Sequence, residues 1–295
     1  MRRIGFIGVG RMGEPMAANL GKAGFEVSVY DAIAGRAVEV AARIGATARP
    51  LAELAACDAA VCMLPTSGDV AQALIEAEDG ALLANARPGL IVIDMSSSEP
   101  NETRATGAKL AEAGVTMIDA PVSGGVMRAK DGSLTIMIGC DDPAAIDRAE
   151  PVLQAMGRQL FRVGRLGAGD AMKAANNFAA AATYAATAEA LTMGKAFGLD
   201  PAQMVEIINV STGRSFVSEL VMKDHVVTRA WSTGFLLSLL AKDVGIARRL
   251  GEELGLDAPL SELVDERMKQ AVAQCGPAAD HSEAILGWYK DEWEK

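Results

Sequence analysis

The chain reads as an α/β protein: a doubly wound parallel sheet in its first half, followed by an all-helical second half. Three observations predict this. A glycine-rich turn, Gly8-Val9-Gly10-Arg11-Met12-Gly13, follows directly on the apolar run Ile4-Gly5-Phe6-Ile7. Short apolar runs then alternate with amphipathic segments up to about residue 163, the pattern of a parallel sheet covered on both faces. Beyond Gly164 the alternation stops, and an alanine-rich, proline-free stretch from Gly169 to Ala196 opens a purely helical pattern.

The strands are expected at 3–8, 26–30, 59–63, 90–94, 115–119, 134–139 and 159–163. Between them, helical periodicity predicts segments at 33–43, 68–77, 99–113 and 143–156, with a first helix carried by Met16, Ala17 and Leu20 that ends at Gly21 or Gly24. The second half reads as one long helix over about 167–196, then helices at 201–210, 215–227, 235–254, 259–275 and 282–293. The division implied is a first domain over 1–163 and a helical substrate and oligomerisation domain over 164–295. A length of 295 residues suits two domains with cores of their own.

A strand that ends in G-x-G-x-x-G and turns into a helix holds a dinucleotide pyrophosphate. Gly8 permits the tight turn, Gly10 lets the backbone approach the phosphates, and Gly13 lets helix and strand pack closely. The helix N-terminus presents N–H groups and partial positive charge to the anion. With Arg11 and Met12 in the turn, this predicts a Rossmann-type cofactor site. A second apolar run, Val27-Ser28-Val29-Tyr30, ends in Asp31, 18 residues past Gly13 and near the offset of a carboxylate that grips a ribose hydroxyl. The alternative role for Asp31 is a cap on the next helix. As a ribose ligand, this carboxylate favours NAD and repels the 2′-phosphate of NADP; Arg36, the nearby candidate to hold that phosphate, also reads as a solvated helix residue.

Composition narrows the classes. Lys and Arg total 28 against 38 Asp and Glu, a net charge of −10, which disfavours nucleic acid and leaves an anionic substrate to be attracted by local groups. No apolar run approaches the length that spans a bilayer. The four cysteines, Cys57, Cys62, Cys140 and Cys275, form no C-x-x-C pair, and the two histidines are too few for a dense metal cluster, so no metal is expected. Arg2-Arg3 lead directly into the first strand without a secretory pattern, and the expectation is a cytoplasmic enzyme with reduced thiols.

Ligands of open α/β sheets bind beyond the carboxyl ends of the strands. Met63-Leu64-Pro65, Asp94-Met95-Ser96-Ser97-Ser98 and Asp119-Ala120-Pro121-Val122-Ser123-Gly124-Gly125 all follow predicted strands, and together they suggest a lined cleft. Each taken singly is also ordinary turn chemistry. Ser123, Gly124 and Gly125 offer a hydroxyl and backbone N–H groups to a carboxylate. On the long helix, Lys173, Asn176 and Asn177 share one face among apolar neighbours. They read either as a site or as a solvated first turn. Hydride transfer requires a group that exchanges a proton with the substrate oxygen, and Lys173 is a better placed candidate than His225 or His281. Its ammonium pKa, about 10.4 when free, must fall toward 7–8 for that work. Lys242-Asp243 is a further candidate pair and, taken alone, reads as a surface pair.

In combination these motifs resemble the β-hydroxyacid dehydrogenase family, which includes 3-hydroxyisobutyrate dehydrogenases and tartronate semialdehyde reductases. The similarity runs in order from Gly8 to Leu20, through Met63-Leu64-Pro65, Asp94 to Pro100 and Asp119 to Gly125, to Gly167 to Asn177 and Lys242-Asp243. The resemblance implies Lys173 as the catalytic lysine, and Ser123, Gly124 and Asn177 as substrate-binding residues. It implies Leu64, Pro65 and Ser97 as cofactor contacts and Lys242 as the second-domain lysine on the cofactor side. Ser97 stands where the family commonly has threonine and keeps the hydroxyl. Arg128 stands where a small residue is common; it reads as a contact for an anionic substrate group or as a surface arginine. Arg214, in the turn Asn209 to Ser215, is a candidate for a second charged group on the substrate.

The resulting expectation is an NAD-dependent oxidoreductase that interconverts a small β-hydroxy acid and its semialdehyde or keto acid, running in either direction. By the resemblance it is a homodimer or homotetramer with a 6-phosphogluconate dehydrogenase-like helical domain. Alternatives are a tartronate semialdehyde reductase or a reductase of another short-chain semialdehyde (4-hydroxybutyrate, threonate or sulfolactaldehyde type), an imine reductase, or a cofactor-binding protein without catalysis. The last two typically lack the lysine that this chain has.

Overall fold

The computed structural model describes residues 1–77 and 81–294. Two compact units divide inside the long helix, Met1–Lys173 and Ala174–Lys295.

Among the described residues the first unit carries a nine-stranded sheet: β1 (Arg3–Ile7), β2 (Glu26–Tyr30), β3 (Thr47–Ala48), β4 (Ala59–Cys62), β5 (Ile91–Asp94), β6 (Thr116–Asp119), β7 (Val122–Ser123), β8 (Leu134–Gly139) and β9 (Gly157–Gly164). The strand order is β3-β2-β1-β4-β5-β6-β8-β7, with β9 also paired to β8. The order reverses between β1 and β4, the switch point where open α/β sheets leave a crevice beyond the strands. Helices α1 (Gly13–Lys22), α2 (Arg36–Ile44), α3 (Ser67–Ala71), α4 (Pro100–Glu112), α5 (Gly125–Lys130) and α6 (Pro143–Met156) complete this unit. The central strands β4 and β5 are buried along their whole length, so Ala59-Ala60-Val61-Cys62 and Ile91-Val92-Ile93-Asp94 show no polar alternation.

All seven anticipated strands form. The sheet is not wholly parallel, however: β8 runs antiparallel to β6 and β7. The chain keeps its direction from β6 into β7 and reverses through α5 before β8, and the two-residue strand β7 and short helix α5 were too brief to leave a periodic signal. The segment anticipated as a helix over 68–77 is α3, opened by a reciprocal Thr66–Asp69 capping box, followed by a wider π-type turn over Gln72–Glu76.

The helix α7 (Ala168–Phe197) spans 30 residues, on the order of 45 Å. In the second unit its residues Ala181, Tyr184, Ala188 and Leu191 are buried at intervals of three and four and form one side of a helical core. That core is completed by α8 (Pro201–Asn209), a π-type helix over Val217–Val226, α9 (Leu237–Glu253), α10 (Pro259–Cys275) and α11 (Ala284–Trp293). Tyr184 is 1% exposed, and its hydroxyl donates to the Ser282 carbonyl at 2.6 Å, which satisfies its one buried polar group.

The glycine turn is fixed by sterics. Gly8 has φ +90°, and a side chain there would collide with the Met63 carbonyl. A Cβ on Gly13 would overlap the Gly8 carbonyl oxygen, so α1 approaches β1 as closely as only glycine allows. Replacing Gly13 by Ala is expected to cost about 1–3 kcal/mol of stability, since the obstacle is backbone rather than a movable side chain. Urea unfolding of the wild-type and Gly13→Ala proteins measures this; equal midpoints would contradict it.

Candidate active site

The loops that leave β1, β4, β5 and β6 are tied to one another by hydrogen bonds. Register pairing aligns Ile7 with Cys62, Cys62 with Asp94, and Asp94 with Asp119, so the four strands end level. The Ser96 hydroxyl accepts from the Leu64 N–H at 2.9 Å and joins the loop after β4 to that after β5. Asp94 accepts from the Ser96 N–H at 3.0 Å and from the Ser98 hydroxyl at 2.9 Å, which folds the serine loop over its own strand.

The glycine turn fits a pyrophosphate on its own evidence. Gly8 and Gly13 are required by neighbouring backbone, but a Cβ on Gly10 would meet nothing within 4 Å. The open space over Gly10, beside the N-terminus of α1, is where an anion can reach the backbone. Asp31, at the end of β2, accepts from the Val9 N–H at 3.0 Å and from the Ile33 N–H at 2.9 Å, and Arg36 lies 3.5 Å from it. It braces the glycine turn and the loop toward α2 together, leaving carboxylate lone pairs for further donors.

Ser123 and the glycines after it stand where β7 runs into α5. Gly124 and Gly125 have φ +132° and +63°, a backbone course that most side chains would oppose. The stem of Arg128 lies against Gly124, so any side chain at 124 would meet it. Arg128 itself is exposed.

The start of α7 is held by carboxylates. Asp119, fully buried, accepts from the Gly167 N–H at 2.8 Å and the Asp170 N–H at 2.9 Å. Gly139 and Gly169 give it room, since a Cβ on either would strike this carboxylate. Burial pushes its carboxyl up to about 6, against the two N–H bonds, and the nearby Asp94 charge adds to the rise. Asp170 accepts from the Thr103 hydroxyl at 2.7 Å and the Ser98 N–H at 3.3 Å. Burial, then the charges of Asp119 and Asp94, raise its carboxyl well above the ordinary range. Lys173 follows one turn later and is only 9% exposed, which excludes a solvated helix start.

In the second unit, Asn177 is 6% exposed. Its amide donates to Asp243 at 2.5 Å and its carbonyl oxygen accepts from the Asn176 amide at 3.0 Å, so the carboxamide is fixed in orientation. Asp243 also pairs with Lys242 at 3.2 Å. The reading of Lys242-Asp243 as a surface pair is therefore corrected: Asp243 is 3% exposed, accepts from Asn177 through one oxygen and forms an ion pair with Lys242 through the other. Arg214 is engaged by Glu219 at 2.6 Å on the surface of the same unit.

Sequence reasoning passed over Asp170, Thr103 and the bracing role of Asp119. A usable signal was present, because an aspartate in the first turn of an otherwise apolar helix is costly to bury without donors.

Truncation of Asp243 leaves the buried Asn177 amide without the acceptor Asp243 gives it. Asp243→Ala is expected to cost about 1–3 kcal/mol, read as a drop in melting temperature. An unchanged melting temperature would contradict the acceptor role of Asp243.

Comparison with known proteins agrees with this geometry. Residues 3–164 match the family model described as the NAD binding domain of 6-phosphogluconate dehydrogenase. Residues 167–288 match the model described as NAD-binding of NADP-dependent 3-hydroxyisobutyrate dehydrogenase. The 2-(hydroxymethyl)glutarate dehydrogenase of Eubacterium barkeri is 35% identical over 287 residues, 97% of this chain and 94% of that protein. The NAD-dependent L-serine dehydrogenase of Pseudomonas aeruginosa is 38% identical over 271 residues, 89% of this chain and 90% of the relative. Among solved structures, the Mycobacterium tuberculosis 3-hydroxyisobutyrate dehydrogenase with L-serine superposes with a TM-score of 0.89 at 31% identity, covering 98% of this chain and 99% of that one. With both halves matched in order and full-length relatives at this level of identity, the chain belongs to the family of NAD-binding β-hydroxyacid dehydrogenases.

Proposed function

We propose that this hydroxyacid dehydrogenase oxidises a primary alcohol β to a carboxylate, or reduces the matching semialdehyde, with Lys173 as the group that exchanges the proton. The observation that carries this reading is the burial of Lys173 one turn after a helix start bolted to the carboxyl ends of β5 and β6. The chemistry that bound NAD would supply is a hydride acceptor for the carbinol carbon.

The chain's own residues have distinct tasks. Lys173 takes the hydroxyl proton in oxidation and returns it in reduction, which requires the neutral amine in the first direction and the ammonium in the second. Ser123, through its hydroxyl, and the N–H groups of Gly124 and Gly125 hold the substrate carboxylate. Asn177, already oriented by Asp243, orients the reacting oxygen. Gly8, Gly10, Arg11, Met12 and Gly13 would receive the pyrophosphate, Asp31 would take the ribose, and Leu64, Pro65, Ser97 and Lys242 would be the further cofactor contacts. The brace from Asp31 to Val9 supports NAD over NADP, because a 2′-phosphate beside that carboxylate would be repelled.

The compounds named for the relatives, 2-(hydroxymethyl)glutarate, L-serine and 3-hydroxyisobutyrate, each carry a hydroxymethyl group on the carbon next to a carboxylate. The substrate class is accordingly a 2-substituted 3-hydroxypropanoate. Arg128, with its stem over Gly124, supports a substituent that bears a second anionic group. The enzyme is a homodimer or homotetramer assembled through the helical unit, where Phe197 (85% exposed), Val210 (86%) and Phe216 (66%) leave apolar surface for a second copy. Its four free thiols support a reducing, cytoplasmic setting.

NADH formation with 2-(hydroxymethyl)glutarate, 3-hydroxyisobutyrate, L-serine and glycerate tests the class. Lys173→Ala is expected to lower kcat by about 10²–10⁴ while NAD affinity stays at the wild-type level. A Lys173→Ala enzyme with near-normal kcat removes the assignment.

A further inference from the structure

The mechanism above leaves three buried carboxyl groups without a task. Asp94 and Asp119 are register partners on β5 and β6, and Asp170 lies in the first turn of α7, three residues before Lys173. They are 1%, 0% and 1% exposed.

The hydrogen bonds of Asp119 and Asp170 differ in kind. Asp119 accepts from two backbone N–H groups at 2.8 and 2.9 Å, the lengths of bonds to an ionised carboxylate. Asp170 faces the Ser98 N–H at 3.3 Å and the Thr103 hydroxyl oxygen at 2.7 Å. The first is long for a charge-assisted bond, and the second is equally satisfied when the carboxyl donates to the hydroxyl oxygen. The four hydrogen bonds described for these two carboxyls all come from uncharged groups.

We propose that Asp170 is a positioning residue for Lys173 and works as a neutral acid: its protonated carboxyl fastens the first turn of α7 to Ser98 and Thr103, beside an ionised Asp119. This rests on the assignment of Lys173 as the proton-exchanging group. The titratable and charged groups around the pair agree with it. Asp94 from β5 and Asp119 from β6 face Asp170 with like charge, which raises its hold on a proton. The Cys62 thiol is held neutral by burial, with the Asp94 charge acting in the same direction, and burial also raises the Cys140 thiol. Arg104, on α4, is turned to the Leu166 carbonyl and Asn101, and Arg165, just before α7, is turned to Asp141. Lys173 lies one helical turn away on the same face. A third ionised carboxyl here would repel Asp119 and Asp94 and pull the helix start from the serine loop.

The sign of the pH effect follows. A folded carboxyl that holds its proton more tightly than the unfolded chain adds stability below the ordinary carboxylate pKa of about 3.9, and that stability is lost as pH rises through the shifted value. Asn at 170 keeps both hydrogen bonds and has no proton to lose.

The experiment compares wild type, Asp170→Asn and Asp170→Ala in two arms. In the first, melting temperatures are measured from about pH 5 to about pH 9 without substrate. The melting temperature of Asp170→Asn relative to wild type is expected to rise steadily with pH. A difference that is constant, or that falls with pH, overturns the neutral-acid assignment. In the second arm, kcat and KM are measured with the hydroxy acid that gives NADH formation. Asp170→Ala is expected to lose about tenfold to a hundredfold in kcat, the effect of a misplaced reacting group, with KM little changed. Asp170→Asn is expected to recover most of it. An Asp170→Asn enzyme as impaired as Asp170→Ala, or an unimpaired Asp170→Ala enzyme, overturns the positioning role. If no hydroxy acid is turned over, or Lys173→Ala is fully active, the functional reading fails while the melting arm still decides the state of Asp170.

Discussion

Everything this fold offers for chemistry depends on one carboxylate, that of Asp119. It closes the orphan N–H groups of Gly167 and Asp170 at the head of α7 and fixes where the helix begins relative to the sheet. A helix of 30 residues magnifies any error at its start, so the position of Lys173 is set by bonds made three to six residues earlier. The interaction combines the two general attractions of a helix N-terminus for an anion: unpaired donors and the positive end of the macrodipole.

That arrangement has an electrostatic cost, and the molecule meets it locally. Three carboxyl groups lie in a dry region because the ends of β5 and β6 and the start of α7 converge there. Backbone N–H groups and the Ser98 hydroxyl supply the donors that water would have given, and the Thr103 hydroxyl pairs with Asp170. Hydrogen bonds from uncharged groups hold this geometry. In the second unit Asp243 does analogous work, orienting Asn177 with one oxygen and pairing with Lys242 through the other.

Much of this was legible in the sequence. The glycine turn, the strand alternation up to residue 163 and the alanine-rich run beyond it carry strong local signals, because each is imposed by a period or by a backbone that only glycine accepts. For Lys173 and Asn177 the sequence left two readings, a site or a solvated helix start, since polar side chains on an apolar helix are either partnered or exposed; only their burial in the fold decides between them. What escaped was non-local. The antiparallel course of β8 follows from a reversal through the six-residue helix α5 after a two-residue strand, both too short for any periodicity. The bond from Asp119 to residue 170 and the bond from Thr103 to the same aspartate join positions 51 and 67 residues apart. Asp243 looked like half of a surface pair because its second partner, Asn177, is 66 residues away.

The three glycines of the first turn answer to different demands. Gly8 and Gly13 are dictated by neighbouring backbone and would be needed in a protein that bound nothing. Gly10 has an ordinary backbone conformation and empty space above it, so folding alone tolerates a side chain there. A copy of this chain released from cofactor binding would keep the outer two and be at liberty to change the middle one. The informative letter of the motif is thus its central glycine, which reports use, whereas the flanking pair reports architecture.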